Sequence, residues 1–250
     1  MYVMEKVGAT LRGVYVATAR GARSVAQHSG VLDRLDRSYR TRPGGAAGHL
    51  RTLFAIHDVD DLVNLDIPWW TYGAIEAVER RLTELEGRAR VFEYGSGAST
   101  VWLGNRSKEV HSVEHHAGFA KIMRRVLAQA ALTDKVELLE VPAEPLTDPV
   151  TRSGRKGENH VDYTAYSQAI KQVGGLFDVI VVDGRARVAC CLASLPYLAR
   201  GGLIVFDDAQ RPRYREGIAL SGLPVRRIWG WVPSLPYPRQ TALLGPLVRE

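Results

Sequence analysis

The acidic side chains that close the apolar runs of this sequence carry most of its chemical information. Glu93 stands in VFEYGSGAST (91–100), just ahead of Gly95 and Gly97; Glu114 closes the run EVHSVE (109–114). Asp183 follows FDVIVV (177–182), and Asp207 and Asp208 follow LIVF (203–206). A single acid at the end of a strand commonly caps the next helix. Acids at several strand ends along one rim repel one another unless a cation faces them. Between them lies a G-x-G turn, whose missing side chains let a backbone approach a ligand closely.

Two nucleoside ligands suit a glycine turn followed, about 20 residues on, by an acid that can bind a ribose diol. A dinucleotide brings a pyrophosphate, which Glu93 would repel. S-adenosyl-L-methionine has no phosphate and carries an ammonium and a sulfonium, which Glu93 would attract. The sequence therefore favours the second ligand. Its chemistry is an in-line displacement that depends largely on positioning. A hydroxyl acceptor must also lose a proton, to a base or to a divalent metal held by carboxylates. Asp183 and Asp207 suit such a metal if their strands are neighbours, about 4.8 Å apart. Oxygen-only ligands would select magnesium or manganese. In the plainer alternative, Asp208 caps the following segment while Arg211 and Arg213 neutralise the pair.

Other residues could take part. His160, in the polar excursion 147–163, is the candidate general base, although a loop histidine is more often simply solvated. His115 and His116 flank Glu114 and are expected to line an adenosine pocket or face solvent. Trp69, Trp70 and Tyr72 either wall a pocket or pack the core. Arg185 and Arg187 follow Asp183 closely and suggest an anionic acceptor or an arginine clamp.

The elements that must position these groups alternate. RVFEY, EVHSVEH, VELLEVP, FDVIVVDG and LIVFDDA read as strands, with helices at 98–106, 117–132, 163–173 and 187–198 between them. A helix over 67–82, opened by Pro68, precedes the first strand, with Ala74, Ile75, Ala77, Val78 and Leu82 on its apolar face. In the helix at 117–132 the apolar face is Phe119, Ile122, Met123, Val126 and Leu127. VRRIWGWV and QTALLG, joined by a proline-rich link too short for a crossover helix, read as an antiparallel pair at one edge. Trp229 and Trp231 alternate and should share one side of it. The fold class is thus α/β: a Rossmann-like, doubly wound, mostly parallel seven-stranded sheet with an antiparallel C-terminal pair. Residues 1–50 are expected to form an N-terminal helical extension ending in the linker RTRPGGAAGH, and residues 51–250 the catalytic domain.

With these elements in order, the chain resembles the class I S-adenosylmethionine-dependent methyltransferases over roughly residues 67–250. The likeness rests on FEYGSGAST, VHSVEHH, VPAEP, FDVIVVDG and LIVFDD, and is nearest to small-molecule O-methyltransferases, some of them metal-dependent. It implies Glu93 near the methionine amine, Gly95, Gly97, Ser99 and Thr100 along the donor, Glu114 and His115 at the ribose, and Ala143 and Glu144 near the adenine. It also implies Asp183 beside the donor, and Asp183, Asp207 and Asp208 as magnesium ligands. The expected reaction is methyl transfer to a hydroxyl of a small molecule. An RNA methyltransferase or a non-catalytic, membrane-associated binding protein is the alternative.

Composition sets the remaining bounds. An apolar fraction of 46% and a charged fraction of 24% are those of an ordinary globular chain. The formal charge of +6 is spread over patches near Arg12, Arg20 and Arg23, in 151–157, in 211–215 and at Arg226 and Arg227. A solvated basic surface or an anionic small molecule explains that pattern more simply than nucleic acid does. Cys190 and Cys191, the two cysteines present, are adjacent, which argues against a disulfide framework or a zinc site and for a reducing cytoplasm. The N-terminal segment, with Val3, Val7, Leu11 and Val14 at helical spacing among arginines, is expected to dock on the domain or on a membrane surface. Self-association is a further expectation that the sequence leaves open.

Overall fold

The computed structural model describes residues 30–55, 59–155, 157–158 and 160–246. The expected N-terminal docking helix lies outside them. Seven strands form the central sheet: β1 (Arg90–Tyr94), β2 (Glu109–Glu114), β3 (Val136–Glu140), β4 (Phe177–Val182), β5 (Leu198–Phe206), β6 (Val225–Gly230) and β7 (Arg239–Leu244). Their order across the sheet is β3-β2-β1-β4-β5-β7-β6. The first five are parallel, and β7 runs antiparallel to both β5 and β6. This is the doubly wound, Rossmann-like architecture the alternating pattern predicts.

Helices α1 (Val31–Thr41), α2 (Ala46–Thr52), α3 (Val59–Asn64) and α4 (Tyr72–Glu84) precede the sheet. Helices α5 (Ala98–Arg106), α6 (Ala117–Gln129), α7 (Thr164–Val173), α8 (Arg187–Ser194) and α9 (Arg215–Leu220) cover its faces. β1 and β4 are buried on both faces, which explains their continuous apolar runs. One core cluster joins Trp70, Val78, Trp102, Met123 and Val179; the opposite face gathers Phe92, Tyr166, Phe177, Ile180 and Phe206.

Several local expectations need correction. The helix expected from Ile67 starts only at Tyr72, so Trp69 and Trp70 lie in the turn before it. Six residues of the expected linker are helical: Arg40 and Thr41 end α1, and Ala46 to His49 open α2. Ile122 is exposed; Ala120 takes its place on the buried face of α6. Trp229 and Trp231 are both exposed, and Trp231 packs on His49 with ring centroids 5.1 Å apart. The described part of the N-terminal extension is anchored: the Tyr39 hydroxyl donates to the Leu65 carbonyl at 2.7 Å, and Tyr39 shares a cluster with Ala98.

In this strand order β1 and β4 are neighbours whose connections leave toward opposite sides of the sheet. The crevice of a doubly wound sheet opens at that switch point, beyond the carboxyl ends of the strands. Glu93, Glu114, Asp183, Asp207 and Asp208 stand at these ends.

Candidate functional site

At the end of β1 the glycine turn is shaped by its neighbour across the sheet. Gly95 has φ +94°, and a Cβ there would stand 2.6 Å from the Gly184 Cα and 2.7 Å from its nitrogen. Gly95 is therefore required by close packing of two strand-end turns. Gly97 differs: a Cβ there meets nothing nearer than the Ser99 hydroxyl at 3.8 Å, so its face is open. The Gly97 N–H donates to the Thr100 hydroxyl at 2.9 Å, which fixes the turn on the first residues of α5.

Glu93 is fully buried beneath this turn. Ser99, Thr100 and Ser112 donate hydroxyl hydrogens to its carboxylate at 2.5, 2.6 and 2.6 Å. Burial pushes its pKa up to about 7, against the three hydroxyl donors that lower it. Ser99 and Thr100, expected along the donor, are thus engaged in holding Glu93. Ser112 has no signal of its own in the sequence. It faces Glu93 because β1 and β2 pair in the register Glu93↔Ser112.

Glu114, at the end of β2, is also buried and accepts the Ser96 hydroxyl at 3.1 Å and the His116 N–H at 2.8 Å. The His115 ring lies 2.9 Å from it. Burial opposes ionisation, yet the His115 ring, the His116 N–H and the Ser96 hydroxyl together hold its pKa below the ordinary value. His115 packs between Glu114 and the rings of Tyr163 and Tyr166, while His116 caps α6 by accepting the Phe119 N–H. Ala143 is half-buried against the core and Glu144 is exposed, on a two-residue ribbon paired with Val161–Asp162.

The acids after β4 and β5 depart from the sequence expectation. Arg187, at the first position of α8, turns inward and is buried. Its Nε donates to the Gly184 carbonyl at 3.1 Å, Nη1 to the Asp207 carbonyl, and Nη2 to the Asp183 carbonyl and carboxylate at 3.0 and 2.7 Å. The Asp207 and Asp208 carboxylates lie 3.6 and 3.9 Å from the same guanidinium. Asp207 also accepts the Thr241 hydroxyl at 3.0 Å, and Asp208 is taken up by Arg211, by Arg239 at 3.2 Å and by the Gln210 amide. Burial raises the pKa of both Asp183 and Asp207; the nearby acids add to the rise and Arg187 opposes it.

Asp183, Asp207 and Asp208, expected as magnesium ligands, gather around the Arg187 guanidinium. Among the described residues no group of three or more metal-ligating side chains is arranged to hold an ion. Arg187 is held there against local cost. Ala186 before it has φ +46°, a left-handed conformation costing on the order of 1 kcal/mol for a residue with a Cβ. A cation in the first turn also opposes the helix dipole, by about 0.3–1 kcal/mol. Arg213, the other expected neutraliser, instead donates to the Gly154 carbonyl.

The excursion 147–163 is tied to the rim. Glu158 accepts hydrogen bonds from Ser153 at 2.6 Å and Tyr163 at 3.0 Å, and pairs with Arg185 at 3.5 Å. His160 is exposed; its carbonyl accepts the Leu146 N–H, and among the described residues no contact joins its ring to Asp183 or Asp207.

Beyond the Asp208 cluster lies an open cleft of about 320 Å3, lined by Ala209, Gln210, Arg211, Arg215, Arg227 and Gln240. Among the described residues Arg215 and Arg227 have no carboxylate partner; Arg227 donates only to the Gln240 side chain, at 3.3 Å. Sequence reading grouped these arginines with the general basic surface, because the hairpin that brings Arg227 beside Arg211 is a long-range pairing.

The crevice fits S-adenosylmethionine on several counts. Gly97 presents an open backbone face, and Glu114 stands buried at the end of the neighbouring strand β2. The buried Trp70 indole lies beside Asp183, and the buried Tyr166 hydroxyl lies against Gly184, so both rings border the crevice.

Residues 92–209 match a family described as a methyltransferase domain. No curated protein matches the chain in sequence. Among solved structures, a cofactor-bound protein from MTB superposes with a TM-score of 0.53 at 21% identity, covering 81% of this chain and 92% of that one. An O-methyltransferase from Bacillus cereus, in complex with SAH, superposes with a TM-score of 0.51 at 16% identity, covering 74% of this chain and 90% of that one.

Proposed function

We propose, from the premise that this chain is a class I S-adenosylmethionine-dependent methyltransferase whose residues 92–209 belong to a methyltransferase-domain family, that it methylates a hydroxyl oxygen of a small anionic molecule. The observation that carries the acceptor's charge is the arginine cleft beside the ends of β5 and β7. Among the described residues no carboxylate pairs with Arg215 or Arg227 there, and Arg guanidinium forks match carboxylate and phosphate geometry. The size of the cleft suits a small molecule. The O-methyltransferase name of the Bacillus cereus neighbour agrees with an oxygen acceptor.

Bound S-adenosylmethionine supplies the electrophilic methyl group. Glu114 would hold the ribose, the open face of Gly97 would border the donor, and Ala143 and Glu144 would border the adenine. Glu93 would set the turn from below and bias the crevice toward a cationic ligand. Of the three rim aspartates Asp183 is the most open, its side chain 22% exposed against 11% and 12% for Asp207 and Asp208. That openness supports Asp183 as the carboxylate that accepts the acceptor's hydroxyl proton. Its raised pKa strengthens it as a base. His160, exposed on the excursion, is the second choice. Magnesium has no role in this scheme, since Arg187 already satisfies the acids. Adjacent free thiols in α8 accord with a cytoplasmic setting.

The test is transfer of labelled methyl from S-adenosylmethionine to matched acceptors that differ only in bearing a carboxylate or phosphate. The charged acceptors are expected to react with a KM about tenfold lower, and Arg215→Ala or Arg227→Ala to erase that difference while sparing kcat. Equal use of neutral acceptors would sink the anionic reading. Methylation of RNA alone would sink the small-molecule reading.

A further inference from the structure

We infer that the Arg187 guanidinium permanently fills the cation seat at the carboxyl ends of β4 and β5, making Arg187 a positioning residue that does the work of a divalent metal. The contacts are those an oxygen-ligated ion would make. Arg187 binds the carbonyls of Asp183, Gly184 and Asp207 together with the Asp183 carboxylate, and draws the Asp207 and Asp208 carboxylates to within 4.0 Å. Carbonyl and carboxylate oxygens from two neighbouring strand ends are the hard donors that divalent ions such as magnesium take.

The charges already balance. Asp183, Asp207 and Asp208 face Arg187, Arg211 and Arg239, so the cluster needs no further cation. Other partners hold the same acids: Asp207 Oδ1 accepts the Thr241 hydroxyl, and both oxygens of Asp208 are engaged by Arg211 and Arg239. A divalent ion could enter only by expelling a buried guanidinium that is fixed at four points and flanked by the Tyr214 ring, 5.9 Å away. The planar fork also does what a spherical ion cannot. It spans both strand ends through carbonyls, and so holds the Asp183 carboxylate at a set angle to the crevice.

The consequence for catalysis rests on the methyltransferase reading, but the competition between Arg187 and a metal does not. The test is a manganese titration of the intact chain, followed by the electron paramagnetic resonance signal of the free ion. Wild type is expected to show no saturable site. Arg187→Ala is expected to gain one, with affinity increased on the order of a hundredfold by removal of the adjacent positive charge. Arg187→Lys, which keeps the charge, should stay near wild type. In turnover assays Arg187→Ala should lose kcat while the donor KM holds, and manganese should restore part of the loss, which a purely structural role would not allow. A stoichiometric manganese site in wild type that Asp207→Asn removes would overturn the inference. So would an Arg187→Ala protein, folded by circular dichroism, that binds manganese no better than wild type. Should Arg187→Ala fail to fold, the wild-type and Arg187→Lys titrations decide: a saturable site in either overturns the inference, and its absence from both supports it. Calorimetric titration of wild type with S-adenosylmethionine separates the two readings, since a chain that binds no donor fails as a methyltransferase whatever its response to manganese.

Discussion

Glu93→Gln should change how the stability of this chain depends on pH. In the folded state burial raises the Glu93 pKa from 4.5 to about 7. The folded state therefore holds a proton that the unfolded state releases between these two values. Stability is unaffected by this group below about pH 4.5, falls as pH rises through the window, and stays reduced above about pH 7. Each unit of separation corresponds to about 1.4 kcal/mol, so passage from about pH 5 to about pH 8 removes roughly 2–3 kcal/mol. Glutamine keeps the shape and carries no charge, and the hydroxyls of Ser99, Thr100 and Ser112 can rotate to donate or accept as it requires. Equilibrium urea unfolding at several pH values would read the difference. With a urea slope of about 3 kcal/mol/M for a chain of this length, the wild-type midpoint should drop by about 1 M more than that of the variant across the interval. Asp183 and Asp207, also raised, contribute slope in the same sense to both proteins, so the difference isolates Glu93 and any acid coupled to it. Parallel curves for wild type and variant would refute the reasoning, because they would mean that Glu93 titrates alike in the folded and unfolded states.

Two further outcomes follow from the glycine turn and from Glu114. Glu114→Gln should weaken S-adenosylmethionine binding by about tenfold to a hundredfold, the loss of a charged hydrogen-bond acceptor, while circular dichroism shows the fold intact; calorimetric titration with unchanged affinity would remove Glu114 from the donor site. Gly95→Ala should cost more than about 2 kcal/mol, since a methyl group there meets the Gly184 backbone at 2.6 Å and φ is +94°; near-wild-type denaturation would show that the two turns are not in contact.

Much of this molecule was legible in its sequence because the signals are local. RVFEY and ASTVWLGNR coincide with β1 and α5 residue for residue, since an apolar run, a glycine turn and a helical face are each written within a few positions. The antiparallel edge pair was legible for the same reason: a short proline-rich link cannot hold a crossover helix. Element starts were harder. Trp69 and Trp70 continue an apolar pattern into the turn before α4, and long-range ties fix that turn: Trp70 packs edge-on against Trp102, and the Thr71 N–H donates to the Thr241 hydroxyl.

The sequence by itself determined which residues stand at the ends of the strands, because the alternation of apolar runs and turns fixes the order of elements and puts Glu93, Glu114, Asp183, Asp207 and Asp208 on one rim. Only the tertiary structure decided what each acid faces. Strand register turns Ser112 toward Glu93, the left-handed Ala186 swings Arg187 back over two strand ends, and the β6–β7 hairpin carries Arg227 to the cleft. Such partners lie tens of residues apart, or depend on a single backbone angle, so neither spacing nor periodicity records them. The same row of carboxylates could have closed around a metal ion or around a guanidinium, and the fold, not the row, makes that choice.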